Sequence, residues 1–437
     1  MNRARVTTVI ASVMLAVGIA AQPAEAASKK LKVFILAGQS NMVGHSRGHT
    51  MGTLLNADGP KDEALTKLVF GKDAKLSKKR YDETLAIAKQ LNELTGGIGD
   101  KKIKAMTDAA EKAAAEAKAA PMKAALDAYK KDVVAASAVS DRVYINSIAD
   151  NNRKSGKLAV GYGGDPSKIG PEYAFGLSIA QKVDGPILLI KTSWGGQSIN
   201  YDFRPPSRPD YKETQSYQDY LAAVKKYETD LAAYNEAMKS ADEEAKKKLR
   251  APRAPRAVDP ANAGHFWREM VKQVNSVLAD PKQSHPDYDA DAGYEIAGFV
   301  WFQGFNDQFS DDFRNNYKDN MVAFIKDVRK EYKNPKMPFV IGVLGTSQTK
   351  EKVDENAVSV AQREAAAVPE FKGNVVAVES YTEYALDSLE VLNSGWPQHY
   401  YLWDLVGSDR PYHYLGAVKF FVRLGDAFAT AMAGMMK

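Results

Sequence analysis

Two hydrophobic rhythms alternate along the chain from residue 31 onward. Short unbroken apolar runs occupy residues 32–37, 186–191, 295–302, 339–344 and 374–378. Such a run suits a parallel strand, whose two faces are both covered. Residues 172–182, 266–278, 313–332 and 358–367 instead read as helices, and a last helix is expected over 415–432. Strands separated by helices predict a parallel sheet built from right-handed crossovers. The expected fold is α/β, with five strands as the middle of a three-layer α/β/α domain.

Two stretches break this rhythm. Residues 61–139, rich in Ala, Lys, Glu and Asp, predict two or three helices, with a break at Thr95-Gly96-Gly97 and a kink or stop near Pro121. Residues 211–250 predict one long helix or a hairpin, and Ala251-Pro252-Arg253-Ala254-Pro255-Arg256 reads as a stiff linker. Both fall between blocks of the α/β pattern, so both are expected as helical insertions. A lobe formed by the two together, binding substrate or a partner, is one reading. Solvated decoration is the simpler one, because charged Ala-rich helices need no partner.

The N-terminus changes the picture of where the chain works. A basic start, Met1-Asn2-Arg3-Ala4-Arg5, precedes an apolar stretch over 6–21 and a small-x-small site at Ala24-Glu25-Ala26. This is the order of a secretory signal peptide. It predicts a leader over 1–26, a mature domain over 27–437, and a secreted or periplasmic location. No other apolar run is long enough to predict a membrane span. The chain has 437 residues and no cysteine, so stability must come from a conventional core and thiol chemistry is excluded. A net charge of +5, from 59 basic and 54 acidic residues, gives no argument for a nucleic-acid partner.

The candidate chemistry starts at LKVFILAGQSNMVG, residues 31–44. The apolar run stops at Gly38 and a polar turn with Ser40 follows at once. Ligands of open α/β sheets collect at the carboxyl ends of strands, so Ser40 stands where a nucleophile is useful. A serine nucleophile needs a base, a group to orient the base, and donors for an oxyanion. Among the six histidines, His45 and His49 read as rim residues, with no metal motif around them. His265 and His285 read as surface, and His399 as a lining residue. His413 follows Asp409 closely, just before the last helix.

The GQSNM-x-G block resembles the nucleophile block of the SGNH hydrolases, in particular the branch of carbohydrate esterase family six and the sialate O-acetylesterases. Other blocks follow in the family's order. KTSWGGQSI at 191–199 is similar to its GG-x-S-I/L loop, GPEYAFG at 170–176 to its GPE-x-x-FG helix start, and WFQGFND at 301–307 to its W-x-Q-G-E-x-D block. The last block carries an acid and His413. Two positions depart from the pattern. Phe305 replaces a glutamate, and Arg410 stands three before His413 where the family has its acid. Asp409, four before, then takes that role; Asp404 is the alternative, and a Ser–His dyad a further one.

The resemblance implies an SGNH-type hydrolase of carboxylic esters that needs no metal or organic cofactor. Ser40 would be the nucleophile, His413 the base and Asp409 its orienting acid. Oxyanion donors would be the amides of Ser40 and Gly196 (or Gly195) and the side chain of Gln303. Gln39, Asn41 and Gln197 would contact substrate, and Asp307 would brace its loop or contact substrate. The branch implies O-acetylated carbohydrate, such as acetylated xylan or sialic acid. Trp194, Tyr201, Trp301, Phe309, Trp396 and Tyr412 are candidates to stack on sugar or to fill the core. The rivals are an esterase or thioesterase for lipid or small acyl groups, and a silent carbohydrate-binding scaffold.

Overall fold

The computed structural model describes residues 29–71 and 76–436. The leader expected over 1–26 lies outside the described residues. The strands are β1 (Leu31–Gly38), β2 (Ser46–Arg47), β3 (Val143–Ala149), β4 (Asn152–Lys157), β5 (Lys168–Ile169), β6 (Ile187–Ser193), β7 (Tyr294–Phe302), β8 (Phe339–Val343) and β9 (Val375–Glu379). The first helices are α1 (Ser40–Val43), α2 (Pro60–Phe70), α3 (Lys78–Thr95), α4 (Lys101–Lys104) and α5 (Ala109–Ala136). Next come α6 (Glu172–Ala180), α7 (Gln215–Ser240), α8 (Glu243–Lys248), α9 (His265–Ala279) and α10 (Asp311–Glu331). The last are α11 (Lys350–Glu355), α12 (Ala357–Ala366), α13 (Leu386–Asn393), α14 (Tyr400–Val406) and α15 (Val418–Met435).

Seven strands form the central sheet in the order β4-β3-β6-β1-β7-β8-β9. All neighbours are parallel except the edge hairpin β3–β4, so the sheet is wider than five strands and not wholly parallel. Register aligns the carboxyl ends of the middle strands: Gly38 lies opposite both Ser193 and Phe302, and Ser193 opposite Ala149. The segments that follow β3, β6, β1 and β7 therefore emerge along one edge.

Strand residues alternate between two apolar layers. Phe34 and Leu36 pack with residues of α6 and α15, whereas Val33 and Ile35 pack with residues of α9, α10 and α12. Helices thus cover both faces, which is the three-layer α/β/α arrangement.

The two helical stretches behave differently from one another. Leu65, Val69, Tyr81, Leu91, Leu126, Tyr129 and Val133 of the first join the apolar cluster of α6 and α15. Its helices are therefore part of the core and not solvated decoration. Pro121 lies inside α5, which runs on through it; a proline removes only one helical donor, and Ala119, Leu126 and Tyr129 anchor the turns on either side. The second stretch is one long helix, α7, with no buried residue, followed by the short α8. It touches α10, on the opposite face of the sheet, so the two stretches do not form a shared lobe. Among the described residues no helix is long and apolar enough to cross a membrane.

Candidate active site

The central strand β1 ends at Gly38 because nothing larger fits there. A Cβ on Gly38 would stand 2.1 Å from the carbonyl oxygen of Phe302 on β7. The chain turns at once into α1, whose first residue is Ser40, buried to 8% exposure. The first amides of a helix have no partner within it. The Gln39 side chain ties this turn to the loop after β7: its Oε1 accepts from the amides of Gly304 (3.0 Å) and Asn306 (3.3 Å), and its Nε2 donates to Asn306 Oδ1 (3.2 Å). Gln39 is thus a brace between two site loops.

Beneath the turn sits an ion pair with no exposure to solvent. Lys191 Nζ on β6 donates to Glu172 Oε2 (2.7 Å), to the Val43 carbonyl (2.8 Å) and to the Tyr162 carbonyl (2.8 Å). Burial holds the lysine pKa down, with Glu172 acting against that. Glu172 Oε1 accepts from the Gly170 amide (2.8 Å). The GPE block is therefore more than a helix start: its glutamate fixes the floor under α1.

The loop after β6 brings Gly195 and Gly196 beside α1. An ideal Cβ on Gly195 would lie 3.8 Å from Ser40 Cβ. The Gly195 amide, however, donates to Asp150 Oδ1 (2.7 Å), so it is committed to a carboxylate on the β3–β4 turn. Gly196 has φ of 76°, a left-handed conformation that favours glycine. Its carbonyl accepts from Asn306 Nδ2 (2.6 Å). Gln197 turns back to its own loop, donating to the Gly195 carbonyl (2.6 Å).

Gln303 does not stand where an oxyanion donor would, and of the two roles expected for Asp307 its contacts fit the bracing one. Gln303 is 2% exposed, and its Nε2 donates to the Gln197 carbonyl (2.9 Å) and to Asp307 Oδ2 (2.5 Å). Its oxygen accepts from Tyr317 Oη (3.0 Å). An amide with its hydrogens used inside the protein is not aimed at an oxyanion. Asp307 is fully buried and accepts from the amides of Ile199 (3.0 Å) and Asn200 (3.1 Å). It braces the loop after β6 and is not a substrate contact. Burial pushes its carboxyl up to about 7, against the donors that favour the charged form. The side chain of this block that bonds Gly196 itself is Asn306, which is partly exposed and was given no role from the sequence.

His413 and Asp409 share a loop that closes on itself. The amides of Ser408 and Asp409 donate to the Leu415 carbonyl (2.8 and 3.0 Å), and the amides of His413 and Leu415 to the Arg410 carbonyl (2.9 and 3.0 Å). Tyr414, Leu415 and Gly416 all have positive φ, so this turn is strained. Tyr414 anchors it: the ring is buried and stacked on Phe420, and its hydroxyl bonds the Gly345 amide (3.0 Å) and Ser380 Oγ (2.8 Å). Within the loop His413 Nδ1 lies 3.2 Å from Asp409 Oδ1, although the ring N–H is not aimed straight at that oxygen. The Arg410 amide also donates to Asp409 Oδ1 (2.7 Å). Burial raises the Asp409 carboxyl, but His413, the Arg410 amide and His45 outweigh it and hold it below its usual range.

The loop reaches the serine turn through Asn41, whose Nδ2 donates to the Tyr412 carbonyl (3.2 Å). Asn41 and Tyr412 are the chain neighbours of Ser40 and His413. Asp404 is engaged elsewhere, paired with Lys130 Nζ (2.8 Å) and near His49 and Arg47. Against burial, which raises it, His49 and Lys130 hold its carboxyl well below the usual range.

Two histidines are placed differently from their expected positions. His285, expected at the surface, is buried and accepts from the Asp287 amide (3.2 Å). His45, expected on the rim, stacks on His413 with ring centroids 4.2 Å apart and planes 9° from parallel. Ligand atoms of His45, Asp409 and His413 lie within 4.8 Å of one another, a cation-like spacing. A nitrogen lone pair lies in the plane of its ring, however, and two nearly parallel planes share no nearby point. The arrangement suits two rings facing one carboxylate better than a metal. Of the aromatic candidates, Trp301 is core, while Phe309 and Tyr412 are exposed. A cavity of about 580 Å³ opens beside Gly195, Gly196 and Asn306, lined also by Tyr201, Asp202 and Tyr211.

Comparison with known proteins adds the following. Residues 256–386 match the family model described as carbohydrate esterase, sialic acid-specific acetylesterase. That stretch holds β7, Asn306 and Asp307; Ser40 and His413 lie outside it. No curated protein matches by sequence. Among solved structures, a protein from Arabidopsis thaliana is 14% identical, with TM-score 0.41 over 92% of this chain and 98% of that one. The carbohydrate acetylesterase XAC1771 from Xanthomonas citri is 11% identical, with TM-score 0.33 over 80% of this chain and 49% of that one. NanS is 10% identical, with TM-score 0.33 over 80% and 78%. Over residues 256–386 the chain carries the model of a carboxylic ester hydrolase family, and it is similar to the sialate O-acetylesterases.

Proposed function

We propose that the protein is an exported serine esterase that removes O-acetyl groups from carbohydrate, with Ser40, His413 and Asp409 as its triad. The observation that carries this reading is the seating of Ser40 at the end of the central strand, beside a loop that holds His413 against Asp409. The Asn41–Tyr412 hydrogen bond ties the two together. In this reading Ser40 Oγ attacks the acetyl carbon while His413 takes its proton. The amides of Ser40 and Gly196, with the Asn306 side chain, hold the oxyanion. Collapse expels the sugar alcohol, which takes the proton from His413. Water then attacks the acyl-enzyme by the same route and releases acetate.

The cavity beside Gly196 supports a sugar over a lipid, because Gln197, Ser198, Tyr201, Asp202 and Tyr211 give it a polar and aromatic lining. Export rests on the basic, apolar and small-x-small order of residues 1–26. The test is p-nitrophenyl acetate hydrolysis by the mature chain beside Ser40→Ala and His413→Ala, followed by acetate release from O-acetylated sialic acid and acetylated xylan. Both variants should lose at least about 10³-fold in kcat while keeping their circular dichroism. Turnover untouched by Ser40→Ala would overturn the mechanism.

A further inference from the structure

His45 has no part in the mechanism above, yet it packs directly on His413. Its ring covers one face of the His413 imidazole, 4.2 Å away and within 9° of parallel. Its Nδ1 is 3.8 Å from Asp409 Oδ2, while His413 Nδ1 is 3.2 Å from Oδ1. One carboxylate therefore faces two rings, with one oxygen toward each. Ser408 clips the two segments together: its Oγ accepts from the Arg47 amide (3.1 Å), and its one hydrogen is shared between the carbonyls of Gly416 (2.9 Å) and His45 (3.3 Å). The pairing of β2 with β5 fixes the same stretch from the other side.

The contact between His413 and Asp409 is not straight enough to set either group by itself. A ring packed on one face of His413, with its Nδ1 3.8 Å from the second carboxylate oxygen, limits the freedom that remains. We propose that His45 is a positioning residue: by stacking it holds the plane of His413, and so keeps His413 Nδ1 against Asp409 Oδ1. This rests on the esterase reading above. Such a residue must not carry charge, because a second imidazolium would oppose the one that forms on His413 when it takes the Ser40 proton. The groups around His45 are His413, Asp409, Lys168 and Lys191. Burial first, then the positive neighbours, lower its pKa to about 4 against the pull of Asp409. It is therefore neutral at neutral pH.

The test is a mutant cycle on p-nitrophenyl acetate hydrolysis with wild type, His45→Ala, Asp409→Ala and the double variant. A misplacement of about 1 Å at a catalytic group costs on the order of 10²-fold. His45→Ala is expected to lose that much in kcat with KM within about twofold, and to lose nothing further in the Asp409→Ala background, because the two act as a unit. His45→Phe, which keeps the stack without the nitrogen, should fall between wild type and His45→Ala. If His45→Ala does not fold, His45→Phe and His45→Gln carry the test, and wild-type kcat in both overturns the proposal. A His45→Ala loss that is undiminished in the Asp409→Ala background overturns it too. Turnover abolished by Ser40→Ala but unmoved by His45→Ala defeats this inference alone. Turnover indifferent to Ser40→Ala defeats the esterase reading and this inference with it.

Discussion

Replacing Asp307 separates a bracing role from a substrate-binding one. The carboxylate accepts from three donors: the amides of Ile199 and Asn200, and Gln303 Nε2. All three donor residues are essentially buried, so water does not take over when the acceptor is removed. A buried donor left unpaired costs about 1–3 kcal/mol. Three of them, less the desolvation recovered by deleting the carboxylate, give Asp307→Ala a loss of about 3–5 kcal/mol. Asp307→Asn keeps one oxygen but sets an amide N–H₂ among donors, and should lose about 1–3 kcal/mol. Urea unfolding followed by circular dichroism reads both. The activity that survives should show lower kcat, because the loop carrying Gly196 is no longer held. A substrate ligand would behave in the opposite way, raising KM at unchanged stability, and that outcome would refute the bracing assignment.

The same residue makes a pH prediction whose sign is opposite to that of a paired carboxylate. Its folded pKa is raised to about 7, above its ordinary value of 3.8. Between those values the folded state holds a proton that the unfolded state has released. The contribution of Asp307 is therefore most favourable below about pH 4 and falls as pH rises toward about 7, by at most about 1.4 kcal/mol per pH unit. The difference in unfolding free energy between wild type and Asp307→Asn, measured from pH 5 to pH 8, isolates this slope. A flat difference would mean that the carboxylate is ionised throughout.

Three further outcomes follow from the same packing. Gly38→Ala should cost more than about 3 kcal/mol or prevent soluble expression, since its Cβ would meet the Phe302 carbonyl at 2.1 Å; a variant with wild-type melting temperature would disprove the close approach. Asn306→Ala should lower kcat by about 10²–10³ with the fold intact, as expected for an oxyanion donor, whereas a change confined to KM would remove it from that role. Lys191→Met should lose about 3–5 kcal/mol by stranding the buried Glu172 carboxylate, and Lys191→Met with Glu172→Leu should recover most of it. Urea midpoints of the single and double variants check this, and a neutral single variant would refute it.

The sheet was legible wherever a strand is buried on both faces, because then nearly every residue is apolar. The runs at 32–37 and 186–191 became β1 and β6 with small shifts of boundary. β3 and β4 were missed for the complementary reason. β3 carries Asn146 and Ser147, and β4 lies at the sheet edge with mostly exposed residues, so neither shows an unbroken run. Asp150 sits on the turn between them, which is why its hold on the Gly195 amide was invisible. The GPE block gave its position but not its partner: Glu172 reads as a first-turn acid, and only the fold brings Lys191 under it. Gln303 and Asn306 show the limit of motif reading. Both lie in one block, and the direction of each side chain depends on Asp307 and Gln39, which no spacing rule reveals.

The Arg410 departure illustrates why spacing is a weak guide to an acid–histidine pair. What the pair needs is a carboxylate oxygen near Nδ1, and a loop can supply that at more than one separation. Here the left-handed run from Tyr414 to Gly416 folds the chain back, so that Leu415 accepts from the amides of Ser408 and Asp409. Asp409 is thereby drawn alongside His413, while Arg410 points away, its guanidinium over the Trp396 ring at 5.7 Å. Strain of this kind persists only where the surroundings over-determine it. The surroundings here are Tyr414, locked by Phe420, Gly345 and Ser380. The extra residue between Asp409 and His413 is thus absorbed by the backbone turn that follows His413. The stacked His45 and the carboxylate it faces complete the alignment that the longer spacing leaves loose.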